Sequence, residues 1–107
     1  MQARVKDNGM TKGIIGYKAL DYKNVEPLLM QLRSCAMQYP GFVDADFLVG
    51  DGDDSIGVMI STWRTIENWR TWVGSKGTQE LLRRARTVVM GTPRITAYTT
   101  MPTVEWR

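Results

Sequence analysis

The sequence predicts an α+β domain, a four-stranded antiparallel sheet with helices on one face. Three observations lead there. Apolar patterning over the 107 residues runs strand, helix, strand, strand, helix, helix, strand. A tight-turn sequence, Asp51-Gly52-Asp53-Asp54, joins two alternating runs into a central hairpin. Helical segments stand on both sides of that hairpin. This order is that of the split β-α-β, or ferredoxin-like, sandwich.

Each element has a local cause. Gly13–Leu20 is short, apolar and bounded by polar residues, which marks a strand. Asn24 offers an N-cap to a helix ending at Tyr39, with Pro27 tolerated in the first turn. Leu28, Leu32, Cys35, Ala36 and Tyr39 repeat at helical spacing, and Pro40-Gly41 stops the helix. From Phe42 to Gly50 the residues alternate. Val43, Ala45, Phe47 and Val49 face one way, Asp44 and Asp46 the other. Ser55–Trp63 alternates again, with Ile56, Val58 and Ile60 opposite Met59, Ser61 and Trp63. Thr65 caps a helix over Ile66–Val73, and Glu67 in its first turn suits the helix dipole. Gly74 and Gly77 interrupt it. Thr78 caps a further helix over Gln79–Met90, whose stripe is Leu81, Leu82, Ala85, Val88 and Val89. Gly91-Thr92-Pro93 ends that helix, and Arg94–Thr100 forms the last strand. One domain is expected over 12–100, between a mobile polar tail, 1–11, and a short tail, 101–107.

The composition removes several function classes. There is no histidine, the commonest metal ligand and the commonest general base near neutral pH. A single cysteine excludes an intrachain disulfide framework and a cysteine-based zinc site. A net charge of +3 is too small and mixed to imply nucleic acid. No apolar run is long enough for a membrane span, and the first residues lack the apolar middle of a signal peptide, so a cytoplasmic protein is expected. The charge is nevertheless segregated. Residues 34–63 hold five Asp and no Lys or Arg, whereas residues 64–94 hold seven Lys or Arg against two Glu. The two patches are either separate solvated faces or surfaces that attract across a subunit interface.

The strands are apolar on both faces, with Phe42 and Leu48 set against Val43 and Phe47, and Met59 and Trp63 against Val58 and Ile60. Helices cover one side only. So much bare apolar surface is rare on monomers, and a two-fold homodimer burying sheet against sheet is expected.

Four short motifs then stand in order on matching elements: Tyr39-Pro40-Gly41-Phe42, Ser61-Thr62-Trp63, Trp69 and Trp72 followed by Ser75, and Pro93-Arg94-Ile95-Thr96-Ala97-Tyr98. With them the sequence resembles the antibiotic biosynthesis monooxygenase family of dimeric α/β barrels, over about residues 13–100. The resemblance implies oxidation of a small planar aromatic, a quinol or polyketide-like phenol, by O₂ without a cofactor. The family's haem-degrading branch has a Trp ending the third strand, a second Trp nine residues on and a His ten beyond that. Trp63 and Trp72 match, but the third position is Leu82, and Ile15-Gly16-Tyr17 lacks the branch's first-strand Asn. Haem degradation is not expected.

The candidate pocket residues are Trp72, Trp69, Tyr17, Trp63 and Leu82. An indole gives a flat apolar wall and one N–H donor, which suits a planar aromatic ligand. Trp69 aligns with the stripe of Ile66 and Val73, and Trp72 lies at its edge. Each Trp also reads as ordinary packing. Oxygenation of a phenol needs a group that accepts its proton or stabilises its oxyanion. Without His, the candidates are a Tyr, a desolvated Lys, an Asp or an Arg, and no pair forms an acid/base constellation. Two readings therefore stand: a cofactor-independent monooxygenase, and a non-catalytic dimer that binds a small ligand or supports a partner.

Overall fold

The structure is a computed structural model and describes residues 10–101. The chain forms β1 (Thr11–Lys18), α1 (Tyr22–Ala36), β2 (Phe42–Gly50), β3 (Asp53–Trp63), α2 (Ile66–Val73), α3 (Lys76–Ala85) and β4 (Arg94–Thr99). The strands make one antiparallel sheet in the order β2-β3-β1-β4, as the split β-α-β pattern requires. Most of the expected tails, residues 1–9 and 102–107, lies outside the described residues. β1 begins at Thr11, ahead of the expected Gly13, because Thr11 pairs with both Trp63 and Thr99.

Cross-strand partners share a face, so the registers sort the sheet. Thr11, Gly13, Ile15 and Tyr17 of β1 lie on the helix side with Met59, Ser61 and Trp63 of β3. Phe42, Ala45 and Phe47 of β2 join them. The other side carries Ile14, Leu48, Ile56, Val58, Ile60 and Tyr98. Leu48, Ile56 and Tyr98 are each about half exposed there, at 50%, 49% and 57%. Among the described residues, helices cover one face only, as the sequence predicts.

Local differences have local causes. A register shift between Phe42 and Asp44 makes Val43 an extra residue. Phe42 therefore joins Phe47 on the helix side, and Val43 turns outward rather than sharing their face. The N-cap of α1 is Asp21, whose carboxylate accepts from the Lys23 N–H, so Asn24 lies within the helix. Pro27 then sits past the first turn, where the carbonyl it leaves unbonded is on exposed Lys23. The buried stripe of α1 is Val25, Leu29, Leu32 and Ala36, one step round from the predicted set, and the helix ends at Ala36. Ser75, not Thr78, caps α3, accepting from the Thr78 N–H. Thr78 is wholly buried. α3 stops at Ala85 instead of Met90, because Val89 bridges to Ala19 beside β1.

The core lies between sheet and helices: Ile15, Leu29, Leu32, Met59, Trp63, Trp72, Leu81 and Leu82, all at most 7% exposed. Burying side chains of this size contributes roughly 1.5–3 kcal/mol each.

Candidate functional site

Trp63 ends β3 on the helix side, and α2 follows within three residues. Thr65 caps α2 by accepting from the Asn68 N–H at 3.1 Å. That cap starts α2 where Trp69 and Trp72 turn down on the sheet. Trp72 stacks on Trp63 with ring centroids 5.3 Å apart and planes 29° apart, and both are 0% exposed. Phe42 meets Trp63 edge-on at 5.4 Å. Trp69 lies on Gly13, where a Cβ would overlap its indole ring, so only glycine admits it. Tyr17 lies in the same way on Gly57 of the neighbouring strand.

The sequence placed Trp69 in the central stripe and Trp72 at its edge. The structure reverses this: Trp72 is wholly buried and Trp69 half-buried. The reason is the ring of Trp63, which periodicity along α2 cannot reveal and on which Trp72 stacks. Trp63, Trp72 and Leu82 belong to one buried apolar cluster, with Trp69 and Tyr17 packed at its margin.

The polar atoms at this end are uneven. The Trp63 Nε1–H donates to the Ser61 hydroxyl at 3.0 Å, and that hydroxyl donates to the Gly13 carbonyl at 3.4 Å. Trp69 Nε1, Trp72 Nε1 and Thr11 Oγ1 are buried with no partner among the described residues. The three gather at one end of the helix face. Thr11 pairs across the sheet with Trp63, Trp63 stacks on Trp72, and Trp69 covers Gly13, two residues along from Thr11. A buried polar atom left without a partner costs about 1–3 kcal/mol, so such a group calls for an explanation.

The candidates for a proton acceptor disperse. Burial, and secondarily the charge of Tyr22, hold the Tyr17 phenol above its usual range, so at neutral pH it is a donor, not a base. Lys18, Asp44 and Asp46 lie on the bare side of the sheet, away from the indoles. Arg70 is exposed and pairs with Glu67. Cys35, expected inside, is half-buried, with Sγ 3.5 Å from Thr78 Oγ1. Among the described residues no three His, Cys, Asp or Glu side chains cluster as metal ligands would, and no helix is long and apolar enough to cross a membrane.

Leu82 has a second surface. With Pro93 and Ile95 it lines an open groove of about 460 Å³ between α3 and the start of β4. Sequence reasoning missed this groove. It exists because α3 packs chiefly on α1 and stands off β4, a tertiary choice with no local signature.

Fold and site together define a ferredoxin-like α+β sandwich with an indole-rich end on its helix face. No protein-family model matches the sequence, and no curated protein matches it. Solved structures do. SnoaB, titled a cofactor-independent oxygenase from Streptomyces nogalater, aligns with a TM-score of 0.78 at 17% identity, covering 89% of this chain and 96% of that one. A structure named as an antibiotic biosynthesis monooxygenase aligns with a TM-score of 0.72 at 17% identity, over 86% of this chain and 99% of that one. A conserved protein from Methanosarcina mazei Go1 aligns with a TM-score of 0.71 at 11% identity, over 87% and 94%. The chain thus has the fold of proteins named antibiotic biosynthesis monooxygenases, as the sequence resemblance implied. Identities this low establish the fold alone.

Proposed function

We propose that the chain is a cofactor-independent monooxygenase that binds a small planar phenol or quinol at the indole-rich end of its helix face. The observation carrying this reading is the pair of buried, unpartnered N–H donors on Trp69 and Trp72. A ring oxygen of the ligand would accept from them, and the flat indoles would hold the ring. Donors aimed at a phenolic oxygen stabilise its anion, the form that O₂ oxidises. With a quinol the step balances without an outside reductant. One oxygen atom enters the ring, the other leaves as water, and the quinol, oxidised to the quinone level, supplies the electrons. Access requires α2 to lift, and an eight-residue helix has little stability of its own to resist that.

A homodimer formed through the bare sheet face belongs to this proposal. Besides its apolar centre, that face carries Asp44 and Asp46 on the β2 edge and Lys12 and Arg94 towards the β4 edge. A two-fold that sets one protomer's β2 over its partner's β4 pairs opposite charges.

An oxygen electrode with a panel of quinols and naphthols tests the reaction. Uptake of one O₂ per quinol is expected above the rate without protein. No uptake with any member would favour the second reading, a non-catalytic binder. The specific observation behind that reading is that, among the described residues, no side chain at the indole end is poised as a base.

A further inference from the structure

We propose that the groove between α3 and β4 binds the anionic group of a carboxylated aromatic ligand, with Arg86 as its principal anchor. One stripe of α3 faces the groove: Lys76, Gln79, Arg83 and, just past the helix end, Arg86. Their spacing of three and four residues keeps them on one side of the helix. The opposite wall is Thr92, Pro93 and Ile95, Leu82 joins these as the apolar floor, and Glu80 also lines the groove with its carboxylate held by Arg83.

The three cations on this stripe are not equivalent. Glu80 engages Arg83 through paired contacts, with Arg83 Nε 3.2 Å from its carboxylate, and Arg84 approaches the same group at 3.9 Å. Lys76 and Arg86 are in no ion pair among the described residues. The groove therefore keeps two uncommitted cations roughly 15 Å apart along the helix, beside a greasy floor. A guanidinium takes a carboxylate through two parallel hydrogen bonds, which selects Arg86, with Thr92 lining the facing wall. The rest of such a ligand lies on Leu82, Pro93 and Ile95. Leu82 also belongs to the cluster of Trp63 and Trp72, so the groove borders the same apolar core from outside. The inference names a substrate class for the proposed function and rests on it for the chemistry alone, since binding is measured without turnover.

The test is titration of the ¹⁵N-labelled full chain with 2-naphthoate and, separately, with neutral 2-naphthol at pH 7, read by amide shifts. Naphthoate is expected to bind at least about tenfold tighter than naphthol and to shift the amides of Gln79, Leu82, Arg86, Thr92 and Ile95. Arg86→Gln should weaken naphthoate about tenfold and leave naphthol unchanged, and Lys76→Gln should do so less. Raised salt should weaken naphthoate alone. Equal affinity for the two probes, shifts confined to the bare face at Ile14, Leu48 and Val58, or an Arg86→Gln chain that binds as before would each overturn the proposal. Arg86 is exposed, so the variant is expected to fold, and an unchanged far-UV spectrum checks this. Naphthoate has no ring hydroxyl to oxidise, so the oxygenase reading fails separately: naphthoate bound in the groove, with no O₂ uptake on any quinol or naphthol, would sink that reading and leave this one standing.

Discussion

Trp63 and Trp72 are a matched pair that differ in one bond. Both rings are 0% exposed and stack on one another, so trimming either to Phe removes the same atoms from the same cluster. The packing penalties largely cancel when the two variants are compared. The hydrogen bonding does not cancel. Trp63→Phe breaks the donation to Ser61 at 3.0 Å, a loss of about 1 kcal/mol. Trp72→Phe removes an N–H that has no partner and relieves about 1–3 kcal/mol. Trp63→Phe should therefore be less stable than Trp72→Phe by about 2–4 kcal/mol. For a domain near 100 residues that separates the melting temperatures by about 8 °C or more. Urea denaturation followed by far-UV dichroism, with parallel melts, measures it. Equal losses would mean that the Trp72 N–H is already satisfied in the free protein, and the donor argument would fail.

Other expectations follow from the same geometry. Gly13→Ala drives a methyl into the Trp69 indole and should cost about 1–3 kcal/mol with a changed tryptophan emission, whereas an unperturbed protein would show that Trp69 does not lie on this glycine. The Tyr17 phenol is held above its usual range, near 10. Its contribution to stability is thus complete below that pH and is lost as the pH rises through the folded value. Denaturation midpoints should fall on the alkaline side, and Tyr17→Phe should flatten that limb. An alkaline limb as steep in the variant would assign it to other groups. The Asp53 carboxylate is lowered, first by its hydrogen bonds from Ser55. Its contribution is present above the ordinary carboxylate range and is lost as the pH falls through the folded value, so Asp53→Asn should soften the acid limb. Leu48 is half exposed on the bare face, so Leu48→Asp should leave the fold intact and convert a sedimenting dimer to monomer. A wild-type monomer at micromolar concentration would remove the sheet-to-sheet interface.

The sequence carried the architecture because each element is locally over-determined. Hairpin residues Asp51 and Gly52, the Thr65 cap and the alternation of β3 each admit one reading, and together they leave one element order. What it concealed was set across elements. The bulge at Val43 depends on how β2 pairs with β3, and nothing in Phe42-Val43-Asp44 marks it. The end of α3 at Ala85 follows from the bridge between Val89 and Ala19, two residues 70 positions apart. The site was legible as a set of tryptophans but not as a geometry. Spacing of three put Trp69 and Trp72 on one face of α2. Only the ring of Trp63 decides which of them is enclosed, and only the Ser61 hydroxyl decides which indole N–H is already bonded. The sequence showed Arg86 only as one of a run of cations, and the groove beside it was not legible, because its two walls meet only once α3 has docked on α1.

The claim that Trp69 and Trp72 hold their N–H groups ready for a ligand oxygen is tested most directly by the indole resonances of the ¹⁵N-labelled chain, which has four tryptophans. Addition of a phenol or quinol that binds should move the Trp72 and Trp69 Nε1–H signals downfield, as new hydrogen bonds do. The Trp63 signal, bonded to Ser61 throughout, should stay in place. A saturating ligand that leaves the Trp72 and Trp69 signals where they were would contradict the account.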